Sequence, residues 1–210
     1  MIRSNDWSAF QALTTIEDHW APGSPEPDGY YWQLKMSDPP LVDLASRCQR
    51  DLANDVLDPA PLAGLHLPVL HVGRADEVSD EQVTAIAEAG RRAAAAVRPF
   101  RLSVGPLTGS RSALRLSVTP WDPLLDLHQR LRAATAPHQP AEPAETADFR
   151  PHLGVGYFNR QLDPQGLLAA VGPLRALPPV TVRVQQIQLV ELRRVGREYQ
   201  WRDRAVVPLG

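Results

Sequence analysis

Cysteine is nearly missing from this chain of 210 residues: Cys48 stands alone. A single cysteine excludes an internal disulfide framework and fits a reducing compartment, so a cytoplasmic protein is expected. Its place in a helix-like run makes a small buried core residue the expected role. Long apolar runs are missing too, none reaching the ~18 to 20 residues of a membrane span. The N-terminal MIRSNDWSAF has no apolar signal core, so neither membrane insertion nor export is expected. Nor does charge of one sign prevail. With 22 Lys and Arg against 24 Asp and Glu, the formal net charge of −2 offers no basic field for generic nucleic-acid binding. No His/Cys/Asp/Glu cluster has metal-ligand spacing, and neither a Gly-rich phosphate loop nor a Gly-x-Ser-x-Gly elbow occurs. No metal and no cofactor are expected.

What the chain has in excess is proline, 21 residues of 210, about twice the usual ~5%. The prolines gather in connections, as at Pro22, Pro25 and Pro27 or Pro137, Pro140 and Pro143, and punctuate elements. Between them, hydrophobic spacing predicts a helix over 7–20 and, after a Pro/Gly-rich loop, a half-buried strand over 30–36. A helix over 41–54 carries Asp43 and Arg47 at a spacing suited to a surface pair. A strand over 65–72 and a helix over 80–97 with Asp80 as N-cap follow. Strands over 100–104 and 114–118 are joined by the stretch 105–112. A second amphipathic helix covers 123–136. The polar stretch 138–148 reads as an exposed, mobile loop within a linker over 137–149. A strand over 152–158, a helix over 164–176 and two closing strands, 180–193 and 198–207, complete the chain.

Two segments recur in the same order. Pro40–Arg47 (PLVDLASR) and Pro123–Arg130 (PLLDLHQR) share five of eight residues. His66-Leu67-Pro68-Val69 and His152-Leu153-Gly154-Val155 share three of four. The offsets, 83 and 86 residues, agree within a loop-length change. Internal duplication is the favoured reading, with a first repeat over about 28–110 and a second over about 113–207 in one bilobal domain. Expected, then, is an α+β fold of two antiparallel sheets around a central cleft, with helices outside.

Strand alternation places His66, Pro68 and Leu70 on one face and Leu67, Val69 and His71 on the other. Likewise His152, Gly154, Gly156 and Phe158 oppose Leu153, Val155 and Tyr157. If the Leu/Val faces pack on helices, both histidines look into one cleft. Two imidazoles there can act as general base and general acid, since an ordinary pKa near ~6.5 lets one be neutral while the other is charged. Tyr31, Gln33 and Lys35 fall on the polar face of the first strand, and Arg115, Ser117 and Thr119 on that of its counterpart. Arg115 and Lys35 are candidates to hold an anion. His71, His128 and His138 are assigned surface or packing roles; His19-Trp20 is read as a structural staple, with a cover over the cleft as the alternative.

The sequence resembles the 2H phosphoesterase superfamily, which includes 2′-5′ RNA ligase-like and cyclic phosphodiesterase proteins. The likeness is carried by His66-Leu67-Pro68-Val69, Arg150-Pro151-His152, Val118-Thr119-Pro120-Trp121, and the run from Val72-Gly73 to Ser79. It implies a duplicated bilobal fold with His66 and His152 as the catalytic pair. It also implies a motif hydroxyl, two residues after each histidine, that bonds a phosphate oxygen. Here those positions hold Pro68 and Gly154, which have no side-chain donor, and proline has no backbone N–H either. Returning Thr to both positions is expected to raise phosphodiesterase activity.

The candidate site is therefore His66 and His152, with Tyr31, Gln33, Pro68, Leu70, Arg115, Ser117, Gly154 and Phe158 around a small-molecule substrate, nucleotide-like or an apolar metabolite. The chain is expected to be a monomer. Three readings stay open: hydrolysis of a cyclic or 2′-5′ phosphodiester, a repurposed biosynthetic acid/base catalyst for a non-phosphate molecule, and a non-catalytic binding module.

Overall fold

Alternating apolar residues and proline punctuation resolve into two antiparallel sheets that face each other across a cleft. The computed structural model describes residues 2–22, 28–52, 54–143 and 145–210. The strands are β1 (Gly29–Lys35), β2 (Leu57–Pro59), β3 (His66–Arg74), β4 (Phe100–Gly109), β5 (Ala113–Thr119), β6 (His152–Phe158), β7 (Val180–Val184), β8 (Gln186–Val195) and β9 (Glu198–Pro208). The helices are α1 (Ile2–Gln11), α2 (Pro39–Asp51), α3 (Asp80–Ala94), α4 (Asp122–Thr135) and α5 (Pro164–Leu174). One sheet runs β3-β1-β8-β9 and the other β2-β6-β5-β4-β7. Trp32, Leu34 and Leu67 of the first sheet, and Leu116 and Leu153 of the second, point away from the cleft and are fully buried. Helices α3 and α4 cover that outer side of the first sheet, and α2 and α5 that of the second.

The arrangement is the α+β, cleft-centred fold expected, but its two sequence units interlock. β1 pairs with β3, and β5 pairs with β6, each as an antiparallel hairpin-like unit holding one histidine strand. The two units also exchange strands. β4 joins β5 in the second sheet, while β8 joins β1 in the first. The expected single strand over 180–193 breaks at Gln185 for this reason: β7 pairs with β4, and β8 with β1. The matched segments PLVDLASR and PLLDLHQR lie in α2 and α4, each with proline in the first turn, where its missing N–H removes no helical bond.

Several local expectations change. The first helix spans Ile2–Gln11, not 7–20, and the chain beyond it is extended: Ile16 bridges Leu162, and the His19 amide donates to the Phe158 carbonyl at 2.8 Å. Ser79, not Asp80, caps α3, in a reciprocal capping box with Gln82. β4 continues to Gly109 through a bulge, so most of 105–112 is strand. Arg47 pairs with Asp51 at 3.6 Å rather than with Asp43. The described residues of 138–148, all but 144, are tied down: Arg132 pairs with Glu142 and Glu145 and donates to the Pro143 carbonyl, and Gln82 donates to the His138 carbonyl. His128 is buried, bonded to the Thr146 hydroxyl and stacked on Phe149, the packing role expected. Cys48 is buried in the core, and burial pushes its thiol up to about 11. Most of the predicted Pro/Gly loop, with Pro25 and Pro27, lies outside the described residues, as does residue 53 of the predicted helix over 41–54. Among the described residues no helix is long and apolar enough to cross a membrane.

Candidate active site

The two histidine strands use one backbone device twice. Each imidazole bonds through Nδ1 to the carbonyl two residues upstream: His66 to Gly64 at 2.9 Å and His152 to Arg150 at 2.8 Å. A carbonyl only accepts, so Nδ1 carries the proton in both rings and Nε2 is left for a ligand. The ring of Trp201 meets His66 edge-on at 4.9 Å and fixes it from the side.

Each strand then carries a bulge at the same place. Opposite β1, pairing passes from Leu70 to Pro68 and skips Val69. Opposite β5, it passes from Gly156 to Gly154 and skips Val155. An extra residue reverses which face the following side chains take. Strict alternation places Leu70 and Phe158 beside the histidines. Because of the bulges both are core residues instead, 3% and 0% exposed. The same reversal brings Tyr157 into the cleft and sets His71 against Tyr31, ring centroids 4.7 Å apart.

The cleft is a cavity of about 160 Å³ between the sheets. Of the expected residues, His66, His152, Tyr31, Gln33, Pro68, Arg115 and Gly154 line it. Ser117 does not: its hydroxyl donates to the Asp6 carboxylate at 2.6 Å, in an adjoining hollow beneath α1 that shares Arg115 and His152 with the cleft. Lys35 lies outside as well, exposed at a surface hollow near Gln185. Sequence reading missed Tyr157, Tyr199, Ala113 and Leu192 as lining residues. Tyr157 was hidden by the bulge, and Tyr199 and Leu192 reach the cleft through strands far along the chain.

His19 proves to be a wall of the site. Its Nδ1 lies 3.0 Å from the Ser112 hydroxyl and its Nε2 2.5 Å from the Tyr199 hydroxyl. With Trp20, Tyr157 and Tyr199 it forms an aromatic cluster of centroid separations between 4.4 and 5.7 Å. α1 closes the ground nearby. Asp6 binds Ser117, Arg3 donates to Ser103 at 2.6 Å, and Phe10 fills the space a side chain at Gly109 would take.

The electrostatics follow from burial. His152 is pushed down to about 3, first by burial, then by the Arg115 charge and less by His66, against the pull of the Arg150 carbonyl. Burial lowers His66 as well, and lowers His19 to about 4 with help from Arg115 and Arg194. All three are neutral near pH 7. Burial raises Tyr31 and Tyr199 to about 12 and raises Tyr157 further, so each stays a phenol. Arg115 remains a cation, and its buried Nε has no hydrogen-bond partner among the described residues. Gln33, 1% exposed at the cleft floor, has neither Oε1 nor Nε2 satisfied among them. By strand register Gln33 faces Pro68, and Arg115 faces Gly154.

The sequence profile of the 2′-5′ RNA ligase superfamily matches residues 39–196, three quarters of the chain. The chain belongs to the 2′-5′ RNA ligase superfamily. Its members' fold recurs here in solved structures of low sequence identity. TT0787 of Thermus thermophilus superposes with a TM-score of 0.65 at 18% identity, covering 86% of this chain and 97% of that one. A structure described as a phosphoesterase gives 0.65 at 16%, covering 87% and 99%. E. coli LigT complexed with 3′-AMP gives 0.66 at 16%, covering 88% and 99%. These likenesses show the superfamily fold. No curated protein sequence matches the chain.

Proposed function

We propose that this superfamily member is a phosphodiesterase of small nucleotide-like molecules, with His66 and His152 as its acid/base pair. The observation that carries the reading is the matched setting of the two imidazoles, each held through Nδ1 by a carbonyl two residues upstream and each lining the same cavity. Such a pair can hydrolyse a 2′,3′-cyclic phosphodiester. One neutral Nε2 takes a proton from water as its oxygen attacks phosphorus. The other, protonated, gives a proton to the departing ribose oxygen, and the balance is one water consumed per P–O bond broken. Arg115 supplies the positive charge for the non-bridging oxygens. That LigT was crystallised with 3′-AMP supports a nucleotide-sized ligand. The α1 arm over β4 and β5 supports a short ligand rather than a continuous strand.

Pro68 and the apolar flanks Ala113 and Leu192 favour a second reading, an acid/base catalyst for a non-phosphate metabolite. Assays on 2′,3′-cyclic nucleotides and 2′-5′-linked dinucleotides separate the two. Turnover well above a His66→Ala/His152→Ala control supports the phosphodiesterase. Turnover equal to that control would leave the second reading standing.

A further inference from the structure

Helix α1 precedes the segment that matches the superfamily and carries one acidic residue, Asp6. Beneath it the adjoining hollow measures about 310 Å³, lined among others by Asp6, Arg115, Ser117, Trp121, Arg150 and His152. We propose that Asp6 fills a second anion subsite in this hollow, so that the cleft takes a ligand with one phosphate and rejects one whose next group is also a phosphate. The inference rests on the phosphodiesterase reading of the cleft and adds a specificity-determining residue to it.

Apart from Asp6, the hollow has the make-up of an anion site. Arg115 and Arg150 bring positive charge to its wall. The Nε groups of Arg115 and Trp121 have no hydrogen-bond partner among the described residues, so the wall is richer in donors than in acceptors. Ser117 stands directly opposite His152 in the strand register, one strand spacing of about 4.8 Å away. A phosphate held between His152 and Arg115 therefore has its next substituent within reach of the Ser117 hydroxyl. Asp6 takes that donor first: its carboxylate accepts from Ser117 at 2.6 Å. Burial disfavours the Arg175 cation on the far side of α1, and the charge of Asp6 opposes it there.

A role as a mere staple for α1 does not call for a charge at position 6, since asparagine would accept the same bond from Ser117. Nor does α1 depend on that bond. Arg3 donates to Ser103 at 2.6 Å and to Thr119 at 3.4 Å, and the Arg175 guanidinium lies over the Trp7 ring at 4.2 Å. Phe10 is 1% exposed and packs on Gly109. What the carboxylate adds is repulsion: a second phosphate entering the hollow meets a like charge already seated on its donor.

The test measures binding of pyrophosphate and of inorganic phosphate by calorimetry, and takes the ratio of the two affinities. The parent should prefer neither strongly. Asp6→Asn keeps an acceptor for Ser117 and removes the charge, so it should shift the ratio toward pyrophosphate by about tenfold. Asp6→Ala also frees the Ser117 hydroxyl and should shift it by about 10- to 100-fold, the usual worth of a hydrogen bond to a charged group. Ser117→Ala added to Asp6→Ala should bring the ratio back toward that of Asp6→Asn. Circular dichroism of each variant should match that of the parent, because Arg3, Trp7 and Phe10 keep α1 seated. A ratio within about threefold of the parent in both Asp6 variants would overturn the inference, as would a gain in Asp6→Ala that Ser117→Ala leaves untouched. Undetectable pyrophosphate binding in every protein would overturn it too. The phosphodiesterase reading fails separately, if the parent's turnover of 2′,3′-cyclic AMP equals that of the double-histidine control; the binding ratios then still decide whether Asp6 guards an anion subsite.

Discussion

The two halves of the cleft share a backbone and differ in chemistry. On the β1/β3 side the histidine is flanked by Tyr31, Gln33 and Pro68, with no charge. On the β5/β6 side it is flanked by Arg115, Gly154 and Tyr157, with His19 behind. The carbonyl-bound imidazole and the bulge are the same in both. The geometry that holds the imidazoles is thus the same in both halves, and the side chains around them differ. The charged half suits an anion. The neutral half, with an unsatisfied amide at its floor, suits a polar but uncharged part of the same ligand.

The strongest prediction concerns what the halves share. His66→Asn and His152→Asn should each lower cyclic-nucleotide turnover by about 10²- to 10⁴-fold, the range general acid/base groups contribute. Steady-state kinetics on each variant is the check. Comparable losses would mean both halves move protons. A loss under about tenfold at either one would assign that half to binding alone.

The pairing of these histidines was legible because a strand motif repeated in order with a repeated helix. Matched His-Leu-x-Val tetrapeptides reveal equivalent positions regardless of what surrounds them. The face assignments that failed, at Leu70 and Phe158, failed for one reason. A bulge adds a residue without any side-chain signature, and Val69 and Val155 read like any strand valine. Ser117 was assigned to the polar face yet lost to α1, whose Asp6 reaches it across 111 residues of sequence. The aromatic cluster was equally out of reach, since Trp20, Tyr157 and Tyr199 come together only when 16–19 runs along the end of β6.

The next effect separates the halves by charge. Arg115→Met should weaken inorganic phosphate binding by roughly 10- to 100-fold, as charge-assisted hydrogen bonds contribute ~1.5–3 kcal/mol. It should also move the pH profile. Arg115 helps hold His152 and His19 down, so removing it raises both. In the parent, a mechanism needing one protonated and one neutral imidazole should give a kcat/KM optimum below pH ~6.5, the ordinary histidine value. In Arg115→Met the acidic limb should shift upward. Gln33→Leu should move neither the phosphate affinity nor the limb; if it moves both equally, the division of labour between halves is wrong.

Stability against pH offers a smaller test with a definite sign. His152 at about 3, His19 at about 4 and the lowered His66 all take up protons more readily in the unfolded chain. As pH falls below ~6.5, the unfolded state binds protons that the native state refuses, so stability falls, by at most ~1.4 kcal/mol per pH unit for each group. Above pH ~6.5 these groups contribute no slope. His152→Asn should flatten the decline between about pH 6.5 and 4 in urea titrations. An unchanged slope would mean that His152 titrates normally in the fold.

Gln33→Leu gives the smallest effect and the most pointed one. A buried amide with neither atom paired costs the fold, since each unsatisfied group carries a desolvation penalty of ~1–3 kcal/mol. Leucine at this position removes the penalty at similar volume and should stabilise the protein by about 1 kcal/mol or more, raising Tm by ~2–4 °C for a chain of this size. Arg115→Met should not share that gain if the cation's terminal nitrogens remain hydrated. A carboxamide kept at a stability cost implies a ligand that both donates to Oε1 and accepts from Nε2, which a fully ionised phosphate cannot do. Gln33→Leu should therefore weaken 3′-AMP binding several-fold while leaving inorganic phosphate unaffected. If Tm rises and 3′-AMP affinity holds, the neutral half reads nothing, and recognition belongs to the charged half alone.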